Sequence, residues 1–277
     1  MLNRFRSIIL LFSLLLTNGN IYCQNVNSVA EIDRIIQKAM EQYLGMIKTN
    51  ADIAQFPRST NNDTSINFVD ASDWTSGFFP GSLWYLYEYS NNSTLLDHAS
   101  RWTSSLESEK WNTGTHDLGF IFNCSYGNGY RLMDDPGYEN ILIQSAKSLS
   151  TRYNETIGSI RSWDFGSWGF PVIIDNMMNL ELLFKATEIT HDSSYHEKAI
   201  RHANTTMANH FRADNSSYHV VDYNKTNGTV VGKYTHQGYS KESAWSRGQS
   251  WGLYGFTMCY RYTKDEKYLK MAENIAR

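Results

Sequence analysis

Two carboxylates stand out for their surroundings. Asp175 sits in Trp168-Gly-Phe-Pro-Val-Ile-Ile-Asp175-Asn-Met-Met-Asn-Leu180, inside an apolar run from Val172 to Phe184. Asp117 follows Gly114-Thr-His116 and precedes another apolar run, Leu118 to Phe122. An unpaired buried charge is expensive, so Asp175 must be paired, protonated at working pH, or facing a wet cavity. Two carboxylates from different apolar helices in one aromatic pocket suit acid and base chemistry on a sugar. Structural roles compete: Asp175 bonded to nearby backbone, Asp117 capping a helix. Helix dipoles lower both pKa values while burial and a neighbouring carboxylate raise them, and the residues alone leave that balance open.

The elements that must position these groups alternate in character. Amphipathic helical patterns over 28–48, 93–108, 137–152, 193–211 and 265–277 interleave with apolar ones over 78–90, 117–132, 171–190 and 246–262. Helices apolar on all sides are buried, so the pattern predicts an all-α, two-layer ring of helical hairpins instead of an open solenoid. Pro171 suits a first helical position, which starts the third apolar helix there. Tyr218–Tyr223 and Thr229–Tyr234 flank Asn227-Gly228 and read as a β-hairpin over one end of the ring. Residues 55–75 read as a long functional loop. Asp73, Trp74, His116, Asp117, Trp163, Trp168, Asp175, Trp245, Arg247 and Trp251 gather where the inner helices begin. Parallel inner helices would bring them to one pocket.

Composition bounds the reading. The 277 residues carry a net charge of −3 and 41% hydrophobic residues, ordinary for one large globular domain or two small ones, with nothing basic to indicate a nucleic-acid partner. Residues 1–23 read as a secretory signal peptide, with Arg4 and Arg6 before an apolar run from Ile8 to Leu16, too short to span a membrane. Cleavage after Cys23 leaves Gln24 first; bulky Tyr22 argues against a lipoprotein anchor on Cys23, so no membrane anchor is expected. The protein is therefore expected to be exported, periplasmic or secreted. Cys124 and Cys259 remain, as two thiols or one disulfide, and no Cys or His spacing is of metal type.

Five motifs then add a resemblance. Asp73-Trp-Thr-Ser-Gly-Phe-Phe-Pro-Gly81, His116-Asp-Leu-Gly-Phe120, Trp168 to Leu180, Thr235-His-Gln-Gly-Tyr239 and Trp245-Ser-Arg-Gly-Gln-Ser-Trp-Gly252 resemble those of the unsaturated glucuronyl hydrolases, glycoside hydrolase family 88. They occur in family order from about residue 30 to the end. The resemblance implies a six-hairpin (α/α)6 barrel over 24–277. Twelve helices close that barrel, whereas about nine are countable here, so a C-terminally truncated barrel is expected. It implies removal of the 4,5-unsaturated uronic acid from the non-reducing end of lyase-generated oligosaccharides, by hydration of the C4=C5 bond and without a cofactor. By motif position, Asp175 is the implied general acid and base and Asp117 its partner. His219, Gln237 and Arg247 are implied substrate contacts, with Trp74, Trp163 and Trp251 as aromatic walls. Competing readings are an unsaturated rhamnogalacturonyl hydrolase, an inverting glucanase on the same barrel type, and a non-catalytic sugar-binding remnant.

Overall fold

A computed structural model of the chain describes residues 29–50 and 52–277. The signal-peptide segment, 1–23, lies outside the described residues. Contacts divide the chain after Tyr43, and helix α1 (Val29–Thr49) runs across that division. The described part of the first unit is the opening of α1, where Arg34 donates to Glu31.

The second unit, Leu44–Arg277, carries everything that follows. Helices α2 (Phe78–Ser90) and α3 (Ser93–Ser104) form one hairpin. A π-helix over Gly119–Gly127 runs into α4 (Asn128–Met133), and α5 (Pro136–Ser150) follows. The hairpins α6 (Asn176–Thr190) with α7 (Ser193–Asn209), and α8 (Ser246–Thr263) with α9 (Glu266–Ala276), complete the helical set. The inner members contact one another in chain order: α2 on the π-helix, the π-helix on α6, and α6 on α8. Counting the π-helix and α4 as one and setting aside a short 3-10 helix at Glu107–Trp111, nine helical segments lie among the described residues, close to the expected alternation.

Local chemistry sets the helix ends. Asn92, Asp135, Asp192 and Asp265 each accept a backbone N–H one turn in, satisfying donors that a helix start leaves unpaired. Asn91, His191 and Lys264 adopt left-handed conformations that stop α2, α6 and α8. Helix α6 is covered on nearly every side through Phe184, as its composition predicts. By contrast α2 and α8 each keep an exposed flank, at Tyr85 and Tyr89 and at Ser250, Thr257 and Arg261. All-round burial therefore holds for the middle of the inner layer and not for its two edges.

Three expectations are corrected. The first concerns Pro171, which opens a strand, β5 (Pro171–Ile173), instead of a helix. β5 pairs antiparallel with β6 (Val220–Tyr223), which pairs with β7 (Val230–Tyr234), so the expected hairpin has become a three-stranded sheet. Proline fits there because β5 is an edge strand and Pro171 is its first residue. The run Val172-Ile173-Ile174 is β-branched, and Phe170, Val172, Val221, Tyr223 and Ile157 bury one another on the sheet. Gly228 takes φ +74° in the turn, the geometry its place after Asn227 predicts. Second, the 55–75 loop contains paired strands, β1 (Phe56–Thr60) and β2 (Ile66–Val69). Third, a short pair, β3 (Tyr153–Asn154) and β4 (Ser159–Ile160), has no counterpart in the sequence reading. Cys124 and Cys259 are both free thiols.

Candidate active site

Asp175 ends the connection from β5 to α6. It occupies the N-cap of α6, yet its side chain makes no capping bond, and it is 6% exposed. One carboxylate oxygen, Oδ2, is buried without a hydrogen-bond partner. Burial first, and the charge of Asp117 second, push this carboxyl up to about 7, against the smaller opposing pulls of its own backbone N–H, Arg247 and Trp251. Desolvation therefore outweighs the contacts that favour the charged form.

The sheet register explains what stands beside it. Ile173 pairs with Val220, and the next N–H along, that of Ile174, donates to the carbonyl of His219 at 3.1 Å. His219 is thereby brought alongside Asp175, with Nε2 3.7 Å from Asp175 Oδ2. The backbone N–H groups of His236 and Gln237 both donate to His219 Nδ1, at 3.0 and 3.1 Å. Burial lowers the imidazole to about 3, so it is neutral and its one proton sits on Nε2, facing the carboxyl.

Asp117 arrives from the start of the π-helix. A Cβ on Gly119 would lie 2.4 Å from Asn179 Cα, so only glycine permits this approach of the π-helix to α6. The contact is keyed by the Phe120 N–H, which donates to Asn179 Oδ1 at 2.8 Å. Thr115 Oγ1 donates to Asp117 Oδ2 at 2.8 Å, and His116 Nε2 lies 3.3 Å from Oδ1. Burial holds the His116 imidazole below its ordinary range, which keeps it neutral. Asp117 is half-buried and faces a cleft of about 750 Å³ that it lines with Trp74, Trp163, Asp73, Asp164 and Phe165.

Asp175, His219, Gln237, Arg247 and Trp251 are not part of that lining, but contacts join them to it. The Arg247 guanidinium lies 4.2 Å from the Trp245 ring and 5.6 Å from Trp74, and it donates to Gln237 Oε1. Trp245 packs on His219 at 4.7 Å and Trp163 on His219 at 5.6 Å. Trp251 meets Phe120 at 5.0 Å, and Phe120 meets Trp74 at 5.4 Å. All eight predicted positions thus fall in one contiguous cluster. His219 is buried, not a surface histidine, and Gln237 and Arg247 are exposed and engage each other. Sequence reasoning put Trp245 and His116 near the pocket but gave no role to Trp245, which bridges Arg247 and His219, or to His116, and it missed Phe68 and Val69 of β2 at the cleft. Trp245 opens a quoted motif and was legible; the β2 residues were hidden by reading their segment as a loop.

Comparison with known proteins places the chain in a family. An unsaturated glucuronyl hydrolase of Formosa agariphila is 45% identical over 269 residues, covering 93% of this chain and 67% of that protein. An unsaturated chondroitin disaccharide hydrolase of Streptococcus pyogenes is 32% identical, over 87% of this chain and 62% of its own length. A crystal structure of an unsaturated glucuronyl hydrolase specific for heparin superposes with a TM-score of 0.85 at 48% identity, over 87% of this chain and 65% of that one. The chain thus spans about two thirds of the proteins it matches. The model of Glycosyl Hydrolase Family 88 matches residues 46–271, and the chain belongs to that family.

Proposed function

We propose that this chain carries the site of an unsaturated glucuronyl hydrolase, which removes the 4,5-unsaturated uronic acid from the non-reducing end of lyase-generated oligosaccharides. The carrying observation is Asp175: a buried carboxyl with a partnerless oxygen, held up to about 7 beside a second carboxylate. A carboxylic acid kept neutral near pH 7 is what proton donation to an enol ether needs. In the proposed reaction Asp175 gives its proton to C4, the π electrons form the new C4–H bond, and positive charge develops on C5 and the ring oxygen. Water adds to C5 and returns a proton to the Asp175 carboxylate. The resulting hemiketal opens and releases the neighbouring sugar.

Asp117 is the partner carboxylate that helps keep Asp175 protonated and offers an acceptor to sugar hydroxyls. The His219 Nε2–H faces Asp175 as a neutral donor, and Arg247 supplies the cation for the uronate carboxylate. Trp74, Trp163 and Trp251 supply flat apolar faces for the sugar. The family relationship and the inner and outer helices support a six-hairpin (α/α)6 barrel, of which this chain supplies a part. The composition of residues 1–23 supports export to the periplasm or beyond.

The test is the ultraviolet absorbance of the conjugated enol in unsaturated uronyl disaccharides incubated with the chain and with an Asp175→Asn variant. Loss of absorbance with the parent alone is expected. Equal loss with both would remove Asp175 from the reaction, and no loss on a chain of full family length would refute the activity.

A further inference from the structure

The chain on both sides of Asp175 is tied to one hydroxyl. In β5 the N–H of Ile174 faces His219 at the start of β6, so by the alternation of a strand the N–H of Ile173 points to the other edge of the sheet. That edge is buried, where an N–H without an acceptor is costly. Ser162 completes it. Its Oγ accepts from the Ile173 N–H at 2.9 Å, and its own N–H donates to the Pro171 carbonyl at 2.8 Å. The same Oγ accepts from Asn176 Nδ2 at 3.0 Å. Both lone pairs of the hydroxyl are thereby used, one on the residue two before Asp175 and one on the residue after it.

Asn176 stiffens this hold. Its other amide hydrogen goes to the Ile160 carbonyl at 2.9 Å, and because a carbonyl only accepts, the orientation of the amide is fixed. The segment entering α6 is thus held on one edge by β6 with His219 and on the other by Ser162. The backbone of Ser162 is anchored independently of its hydroxyl, by Pro171 and by Arg152, whose Nη2 donates to the Ser162 carbonyl at 3.3 Å. Trp163 of the cleft wall follows directly in the chain, so a single residue joins the wall to the acid.

We propose that Ser162 is a positioning residue for the reaction: its hydroxyl fixes Asp175 through Ile173 and Asn176, setting where the carboxyl stands relative to a sugar held against Trp163. The proposal rests on the reading of Asp175 as the acid. Ser162 is fully buried and acts through Asp175, not on the sugar. A displacement of about 1 Å in a reacting group can cost about a hundredfold in rate, which is the scale on which such a hold matters.

Two readouts are followed in Ser162→Ala: kcat and KM from the enol absorbance, and the titration of the Asp175 carboxyl by NMR of isotope-labelled aspartate, its signal assigned by its absence from Asp175→Asn. The groups facing that carboxyl are Asp117 from the π-helix, His219 from the start of β6, and Arg247 and Trp251 from α8, and Ser162→Ala removes none of them. A fall in kcat of about tenfold or more is expected, with KM within about twofold because the Ser162 backbone still anchors Trp163. The Asp175 midpoint should move down from about 7 as the released segment lets water reach the carboxyl. Thr103→Val, which deletes the buried bond from Trp84 Nε1 in the α2–α3 hairpin, controls for lost stability and should leave kcat and the titration unchanged. Should Ser162→Ala not fold, Ser162→Cys, with a weak acceptor in the same place, carries the same readouts with a loss of about threefold in kcat. Parental kcat and titration in Ser162→Ala overturn the proposal, as does a raised KM with kcat intact, which would put Ser162 in binding. An equal fall in kcat in Thr103→Val overturns it too, since lost stability would then suffice. If the Asp175 titration moves in Ser162→Ala while a family-length parent leaves every enol intact, the positioning role stands and the proposed reaction falls.

Discussion

Helix α6 carries two buried carboxylates about two turns apart, and they are treated in opposite ways. Glu181 is spent: the Tyr254 hydroxyl, the Arg261 guanidinium and Asn123 Nδ2 all donate to it. Asp175, at the other end of the same buried stretch, keeps an oxygen with no donor and sits beside another carboxylate. Burial is common to both, at 8% and 6% exposure, so burial alone does not mark a functional acid. The distinction is in the partners. A satisfied network locks three inner segments together, while an unsatisfied carboxyl stores the proton affinity that acid catalysis uses.

Substituting the two acids should break the molecule differently. Asp175→Asn removes the transferable proton and should lower turnover in the proposed reaction by at least about 10³-fold. It should not unfold the chain. The Asp175 pKa is raised in the folded state from an unfolded value of 3.8 to about 7. Its neutral form is thus favoured by folding: stability is fully present below the unfolded value and is lost as pH rises to about 7. The Asn variant should therefore match the parent near pH 4 and exceed it above pH 7, by no more than ~4 kcal/mol. Denaturant melts at both pH values check this, and a variant weaker than the parent at pH 8 would contradict the assignment. The same titration predicts that parental activity falls on the alkaline side as pH passes about 7.

Glu181→Ala should reverse the pattern. It leaves Tyr254 without its acceptor, while the exposed Arg261 guanidinium turns to water, and should cost about 1–3 kcal/mol of stability, measured by denaturant unfolding. Whatever fraction stays folded should keep an alkaline limb at the same pH. A shift of that limb would mean that the two acids are coupled through α6.

A steric version of the comparison is of similar size. Gly119→Ala forces a methyl to within 2.4 Å of Asn179 Cα, against backbone that cannot swing aside. About 1–3 kcal/mol should be lost, with a fall in turnover because Asp117 moves with the π-helix. Gly45, where an added Cβ meets nothing within 4 Å, is the control, and Gly45→Ala should be neutral or slightly stabilising.

What could be read from residues alone follows the same division. Helix spans were legible because amphipathic period and apolar density are local properties, and the α2–α3 and α8–α9 hairpins fall within a few residues of their patterns. The Pro171 strand was not: three apolar residues after a proline fit a helix start or an edge strand equally, and only Val220–Tyr223, some fifty residues on, decides between them. Asp117 and Asp175 were legible as costly charges in apolar runs. That one oxygen of Asp175 stays without a hydrogen bond while Glu181 is fully paired was not, because Tyr254 and Arg261 come from a distant helix.

The smallest effect concerns how Asp117 is held, and it sharpens the contrast with Asp175. The Phe120 N–H fixes Asn179 Oδ1, which turns Asn179 Nδ2 toward His116 Nδ1 at 3.5 Å. A neutral, buried His116 must then carry its proton on Nε2, the atom 3.3 Å from Asp117 Oδ1. Each carboxyl thus has a neutral histidine behind it, but Asp117 also has the Thr115 hydroxyl. His116→Phe keeps the volume and deletes the N–H that lies near Asp117 without bonding to it, so it should cost at most about 1 kcal/mol, no more than roughly fivefold in kcat/KM. Thr115→Val in the same background should multiply that loss, because Asp117 then loses the hydroxyl that donates to it. Full activity in the double variant, at unchanged stability, would show that Asp117 needs neither, and that the peptide geometry at the start of the π-helix is sufficient to aim it.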